Sequence, residues 1–377
     1  MGSTAAAAPL RYGALLLLVG ATACASSSRP GGITPTEGDR FYVSGYHPYW
    51  AGQAWDDYPF DALHDLFYFE IEAAADGSLS QPHGWPEGWS GLVRRATREG
   101  VRVVPTVSMH DADAFVELFG TPASVARLSQ EVVDLVGSTP GLGGVHLDFE
   151  VFRPVEPEVR DGYTAFVAAL VSRIRDMDPS FALSVFTLAF DDDDVYNERA
   201  LAELADFVVV QGYDFHSLNE ARTGPVAALT GWGRLNWGRV VDRFLELGVP
   251  PRKIVMAVPL YGYEWPAETD IPGSQTFGPA VPLPITAPPG VLPGMPRARE
   301  QAEIYGVRRD AESGSPYYVF GDGVSWFQGW FEDEESLDAK YAFVRERGLG
   351  GVALFPLAYG DASLWERLRA AFVRPRP

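Results

Sequence analysis

The sequence predicts a closed (β/α)8 barrel, an α/β fold of the TIM barrel type, and three observations predict it. From residue 41 onward, short runs of β-branched and aromatic residues alternate with longer stretches of helical periodicity, as repeated βα units around a parallel sheet require. Some runs, such as Phe207-Val208-Val209-Val210, are continuously apolar, as strands covered on both faces must be. An open doubly wound sheet shares this alternation, but eight units over about 330 residues fit barrel closure better.

The eight strands fall at residues 41–46, 65–71, 101–108, 144–149, 181–188, 206–213, 253–259 and 351–357. Helical stretches fall at 88–98, 122–136, 157–177, 197–204, 235–247 and 335–347, with apolar residues recurring at three and four. In the third of these, Phe166, Leu170, Ile174 and Met177 make one stripe while Arg173 and Arg175 lie off it, the pattern of a helix covering a sheet. After the seventh strand about 75 residues pass before the helix near Glu335, far beyond an ordinary βα loop. Within that span, 266–296 is rich in proline and reads as irregular loop. Residues 316–331, PYYVFGDGVSWFQGWF, are two aromatic runs around Gly321-Asp322-Gly323 and read as a hairpin. The span of about 263–334 is therefore expected to be an insertion over one side of the barrel mouth, within a single domain of 41–373.

The N-terminal stretch has its own logic. Residues 1–23 carry Arg11, an apolar run from Tyr12 to Val19 and then small residues, which is the layout of an export signal. The run is too short for a permanent span. Cys24, the one cysteine of the chain, follows Leu18-Val19-Gly20-Ala21-Thr22-Ala23, which resembles the lipobox of bacterial lipoproteins. That resemblance implies lipidation at Cys24, and with it a membrane-anchored protein of the bacterial cell envelope. Residues 24–40 are rich in Ser, Gly, Pro and Thr and read as a flexible tether. With 50 Asp plus Glu against 30 Lys plus Arg and no basic stripe, the formal charge of −20 argues against nucleic acid as a partner. A neutral polysaccharide is indifferent to that field. At 46% apolar and 13% aromatic the chain can bury a large core.

Barrel enzymes carry their chemistry at the carboxyl ends of the strands. The fourth strand ends Gly143-Gly144-Val145-His146-Leu147-Asp148-Phe149-Glu150, so His146, Asp148 and Glu150 share one face and Val145, Leu147 and Phe149 the other. Two carboxylates so placed repel each other, which keeps one of them protonated and able to act as a general acid. Spacing alone also suits an acidic pair on the surface.

The run GGVHLDFE resembles the DGxDxDxE motif of glycoside hydrolase family 18, the chitinases and endo-β-N-acetylglucosaminidases. Gln211-Gly212-Tyr213-Asp214 matches the family's Met-x-Tyr-Asp, Pro259-Leu260-Tyr261-Gly262 its Pro-x-Tyr-Gly, and Gly45-Tyr46 its opening Gly-Tyr, each on the appropriate strand. The resemblance covers about residues 41–373 and implies a substrate-assisted retaining hydrolase needing neither metal nor cofactor. Carried over by position, Glu150 is the proton donor, Asp148 orients the substrate's acetamido group, and Tyr213 bonds the acetamido oxygen. Asp214, Tyr46 and Tyr261 then contact sugar.

Two departures stand out. His146 replaces the family's middle aspartate, where an imidazole could still bond Asp148, or could be satisfied in the core. Phe355 replaces the tryptophan that floors the sugar site and offers a smaller stacking face. Tyr46, Trp50, Tyr261, Trp326 and Trp330 are candidate sugar platforms, each alternatively a packing residue. The run Asp191 to Asp194 lacks the spacing and central glycine of a calcium loop and reads as a solvated turn.

The motif Tyr213-Asp214-Phe215-His216 and the short strand-four motif are more similar to the family's bacterial cell-wall and spore-cortex branch than to large chitinases. The implied activity is cleavage of β-1,4 bonds in N-acetylglucosamine-containing glycans such as peptidoglycan or chitin. Loss of two motif acids and the tryptophan leaves open an inactive carbohydrate-binding barrel. A hydrolase for non-acetylated sugars is the third reading.

Overall fold

The computed structural model describes residues 41–80 and 83–373, so the expected signal segment, Cys24 and the tether lie outside the described residues. Eight parallel strands form one sheet: β1 (Tyr42–Pro48), β2 (Asp65–Ala73), β3 (Arg102–Met109), β4 (Gly144–Phe149), β5 (Ala182–Thr187), β6 (Phe207–Val210), β7 (Ile254–Pro259) and β8 (Gly351–Phe355). Each pairs with the next in chain order, and β8 returns to pair with β1 from Tyr42↔Gly351 to Gly45↔Leu354, so the sheet closes on itself. The fold is a (β/α)8 barrel.

Around it lie α1 (Ser90–Arg98), α2 (Ala112–Gly120), α3 (Pro122–Ser138), α4 (Pro157–Met177), α5 (Glu198–Leu204), α6 (Trp237–Glu246), α7 (Ala298–Tyr305), α8 (Glu334–Glu346) and α9 (Ala362–Phe372). Three of these, α2, α7 and α9, are absent from the sequence reading. Two of the three are capped by aspartates within otherwise loop-like stretches: Asp111 accepts from the Ala114 amide and Asp361 from those of Ser363 and Leu364. The stripe on α4 buries Phe166, Leu170 and Ile174, together with Val159, Tyr163, Val167 and Val171. Met177, expected in that stripe, is the last residue of the helix and is 42% exposed.

The alternation on β4 sorts its side chains into two environments. Phe149 turns outward, its ring against Phe115 and Phe119 of α2 and Tyr163 of α4, while His146 and Asp148 turn inward and are buried. At the opposite, amino-terminal end of the barrel, buried Asp65 accepts the Tyr42 hydroxyl at 2.6 Å and a two-pronged Arg102 guanidinium at 2.7 Å. That paired charge plugs the end away from the strands' carboxyl termini.

Between β7 and α8 the chain builds an antiparallel five-stranded sheet in the order Val281–Pro284, Tyr261–Ala267, Trp326–Trp330, Pro316–Gly321, Arg308–Arg309. The hairpin around Gly321-Asp322-Gly323 is present. The stretch 266–296 is not wholly irregular, since it holds the strand Val281–Pro284 and the end of Tyr261–Ala267. The added sheet also starts at Tyr261, only one residue beyond β7. Proline lacks an amide but keeps its carbonyl, so Pro282 and Pro284 are tolerated on this edge strand.

Gly144 opens β4 at φ +132°, and a Cβ there would sit 1.8 Å from the Ala182 carbonyl oxygen of the adjoining strand. Gly144→Ala is expected to lower unfolding free energy by roughly 3 kcal/mol through backbone strain and overpacking. Chemical denaturation of the variant against wild type measures this, and an unchanged midpoint would contradict it.

Candidate active site

The carboxyl ends of the strands converge on an aromatic cup. Phe355, at the end of β8, forms its base, with ring centroids 5.4 Å from Tyr46, 5.7 Å from Phe69, 6.0 Å from Tyr213 and 6.3 Å from Tyr261. Tyr213 lies at 24° to Phe355, whereas Tyr46, Phe69 and Tyr261 meet it edge-on. The Phe355 ring keeps part of its surface open to solvent, so a sugar face has an apolar platform.

Four carboxyl groups border this cup. Asp148 is buried on β4, and Glu150 follows two residues later, its amide bonded to the Met109 carbonyl of β3 at 2.8 Å. Asp214 sits just past β6 with φ +58°, a left-handed conformation that aspartate tolerates better than most residues. It accepts the hydroxyls of Tyr261 at 2.7 Å and Tyr263 at 3.2 Å. The close packing beneath it demands Gly212, where a Cβ would lie 2.2 Å from the Ala257 carbonyl oxygen and 2.9 Å from the Trp237 ring. The fourth carboxyl, Glu70, belongs to β2.

Facing them is His110, just past β3. Its Nε2 lies 3.3 Å from Glu70 Oε2 and its Nδ1 lies 3.5 Å from Glu150 Oε1. The hydrogen bond to Glu70, with Glu150 and Asp148 nearby, raises the imidazole to about 9, so it is a cation at neutral pH. Burial pushes Glu150 up to about 7, helped by Asp214 and Glu70 and opposed by His110. Burial, then the Glu150 charge, lifts Asp148 well above the usual carboxylate range. Asp148 Oδ1 is buried and has no hydrogen-bond partner among the described residues. Burial also keeps the Tyr213 hydroxyl protonated and therefore a donor.

The structure thus brings together Glu150, Asp148, Tyr213, Asp214, Tyr261 and Phe355, whereas Tyr46, expected to contact sugar, is fully buried against Phe355 with its hydroxyl on His146 and is packing. His146 lies deeper and does not bond Asp148. Its Nε2 pairs with the Tyr46 hydroxyl at 2.9 Å and its Nδ1 with Ser184 Oγ at 2.8 Å, and its ring stacks on Phe67. Burial depresses it to about 3, so it stays neutral. Trp330 is fully buried, stacked on Tyr317, and is packing rather than platform. Trp326, 40% exposed, sits on the added hairpin. Trp50 stands at the rim, edge-on to Phe69 and bonded to the Tyr359 hydroxyl at 3.1 Å. In the run from Asp191, that residue caps the amides of Val195 and Tyr196, Asp192 pairs with Arg234, and Asp194 pairs with Arg160. Among the described residues no group of three or more His, Cys, Asp or Glu is arranged to hold a metal ion.

Glu70, His110, Phe69 and Tyr263 are missing from the sequence reading. Strict alternation puts Glu70 on the outer face with Tyr68, but the ladder between β2 and β3 slips between Tyr68 and Ile71 and re-aims it. A glutamate inside the apolar run FYFEI and a histidine at a strand end were the available signals.

A (β/α)8 barrel with a proton-bearing glutamate beside an aromatic cup at the carboxyl ends of its strands defines the glycosidase class. Residues 89–360 match the family model described as glycosyl hydrolases family 18, and the chain belongs to that family. Among its relatives, the cortical fragment-lytic enzyme of Bacillus anthracis is 24% identical over 319 residues, covering 80% of this chain and 66% of that protein. The same-named enzyme of Bacillus subtilis is 27% identical over 256 residues, covering 65% of this chain and 53% of that protein. The chain therefore spans between about half and two thirds of the length of these curated relatives. A family 18 N-acetylglucosaminidase from Paenibacillus barengoltzii superposes with a TM-score of 0.74 at 20% identity, covering 88% of this chain and 100% of the other, a likeness of fold.

The raised proton affinity of Glu150 has a thermodynamic consequence. The folded protein holds this proton to about pH 7 while the unfolded chain releases it near 4.5, so its stability contribution is full below 4.5 and declines through 7. Glu150→Gln is therefore expected to gain roughly 1 to 3 kcal/mol over wild type above pH 7. Denaturation of both proteins from pH 4 to 9 tests this, and parallel stability curves would refute it.

Proposed function

We propose that this chain is a retaining, substrate-assisted glycoside hydrolase cleaving β-1,4 bonds beside N-acetylglucosamine units in peptidoglycan, chitin or a related glycan. The observation that carries the proposal is the buried, unpartnered Asp148 Oδ1 next to the proton-bearing Glu150, within one cup shared with Tyr213. A buried acceptor without a donor is costly, and an acetamido N–H supplies one.

In this mechanism Glu150 gives its proton to the glycosidic oxygen as that bond breaks. The substrate's acetamido oxygen attacks C1 from the opposite face and forms an oxazolinium ion. Asp148 accepts the acetamido N–H and stabilises the positive charge, while the Tyr213 hydroxyl donates to the acetamido oxygen. Glu150, now ionised, takes a proton from water, the water oxygen attacks C1, and the ring opens with net retention. Asp214, held by Tyr261 and Tyr263, bonds the same sugar, and Phe355 supports its apolar face.

The relatives named as cortical fragment-lytic enzymes and N-acetylglucosaminidase favour this substrate class. The arrangement before and at Cys24 supports export and lipid anchoring at the bacterial cell envelope, where such glycans lie. Labelling with a radioactive or alkynyl fatty acid should mark the full chain and not Cys24→Ala.

Glu150→Gln should lower kcat on chromogenic N-acetylglucosamine oligomers and on purified sacculi by about 10²- to 10⁴-fold, and deacetylated substrates should resist the wild type. Wild-type kcat/KM should fall about tenfold per pH unit above pH 7, as Glu150 loses its proton. No turnover of any N-acetylated glycan, with retained glycan binding, would instead establish a carbohydrate-binding barrel. Equal cleavage of deacetylated chains would exclude substrate assistance.

A further inference from the structure

The hydrolytic scheme leaves two side chains at the cup without a role. Glu70 lies on β2 and His110 just past β3, and neither contributes to the aromatic floor. The imidazole has one nitrogen 3.3 Å from a Glu70 oxygen and the other 3.5 Å from a Glu150 oxygen. Neutral imidazole offers a single N–H, so only the imidazolium presents a donor to each carboxylate. Glu70 is itself nearly buried, at 8% exposure, and is aimed here by the slip in the ladder between β2 and β3. An irregularity that turns a glutamate into a barrel mouth is the kind of device that places a functional side chain.

We infer that Glu70 and His110 form a fixed cationic support for Glu150, in which Glu70 holds the ring and the ring orients the acid and sets its proton affinity. This inference rests on the hydrolase reading given above. His110 is a positioning residue, acting through Glu150. In the first half of the reaction the adjacent cation makes Glu150 a stronger acid. In the second half it holds the ionised carboxylate in place for the incoming water. Glu70, whose carboxylate faces the far nitrogen, fixes the ring's orientation and keeps it protonated.

Among the described residues, several titratable groups surround this pair, the buried Tyr196 hydroxyl included. Glu70 faces the ring from β2, Asp148 from β4 and Glu150 from just past it, and Asp214 acts on Glu150 from beyond β6. The hydroxyls of Tyr46 and Tyr213 also border Glu150, both held protonated by burial. On the segment that carries His110, Asp111 caps α2 and Asp113 pairs with Arg153. The raised imidazole and the opposing pull of His110 on Glu150 agree with the geometry.

The test uses the full chain with His110→Gln, His110→Lys, Glu70→Gln and Glu150→Gln, each checked for folding by thermal melting. With chromogenic N-acetylglucosamine oligomers, His110→Gln should move the alkaline limb of kcat/KM upward by about one pH unit, because loss of the cation favours protonated Glu150. His110→Lys, which restores a cation, should return the limb toward its wild-type position. A merely structural role would lower activity without moving the limb. In parallel, imidazole resonances followed by NMR should show His110 titrating near 9 in wild type. In Glu70→Gln that value should drop by about one pH unit or more. An unmoved limb in His110→Gln, or an ordinary His110 titration in wild type, overturns the inference while leaving the hydrolase intact. Wild type without turnover overturns the hydrolase reading, and the NMR arm then decides the coupling by itself.

Discussion

Four carboxyl groups held in one desolvated mouth repel one another, and much of what surrounds them in this barrel answers that constraint. Glu70, Asp148, Glu150 and Asp214 come from β2, β4 and the end of β6, and each finds a different solution. Asp214 receives two tyrosine hydroxyls. Glu70 receives an imidazolium. Asp148, with the least solvent and an oxygen lacking any donor among the described residues, has its proton affinity pushed well above the usual carboxylate range. Glu150 is left between these influences, with a proton affinity set close to neutrality. Electrostatic pressure of this kind costs stability, and it is concentrated where chemistry needs a group that both gives and takes a proton.

The rest of the barrel isolates that pressure. Below the carboxylates the interior is filled by Tyr46, Phe67 and a neutral His146, whose nitrogens are taken by Tyr46 and Ser184. A second carboxylate at position 146 would add to the burden on Asp148, whereas the imidazole adds none at neutral pH. At the far end, Arg102 and Asp65 neutralise each other. The charge imbalance of the interior is therefore confined to the mouth.

The architecture was legible because closure of a barrel imposes repeated, fully apolar strands, and those of β6 and β7 leave little room for another reading. The floor residues were legible by their motifs, since Tyr213, Tyr261 and Phe355 all end or follow barrel strands. What strict alternation hid was Glu70, because a slip of one ladder changes which face a side chain serves and leaves no trace in composition. His110 was hidden for a related reason: it lies just past a strand end, next to a helix start marked only by Asp111. His146 shows the opposite failure, in which a motif position invited a partnership with Asp148 that the barrel interior redirects to Tyr46 and Ser184. The helices α7 and α9 were missed because one is short and directly follows a proline-rich stretch and the other lies near the chain's end.

The sheet added after β7 looks like an attachment to the barrel, yet its first strand supplies Tyr261 to the cup and Tyr263 to Asp214. Trimming the protein to a minimal barrel by excising that sheet at its root would therefore dismantle the wall of the sugar pocket along with the ornament. Any chimera that exchanges this region between relatives has to transplant the tyrosines and their aspartate as one unit.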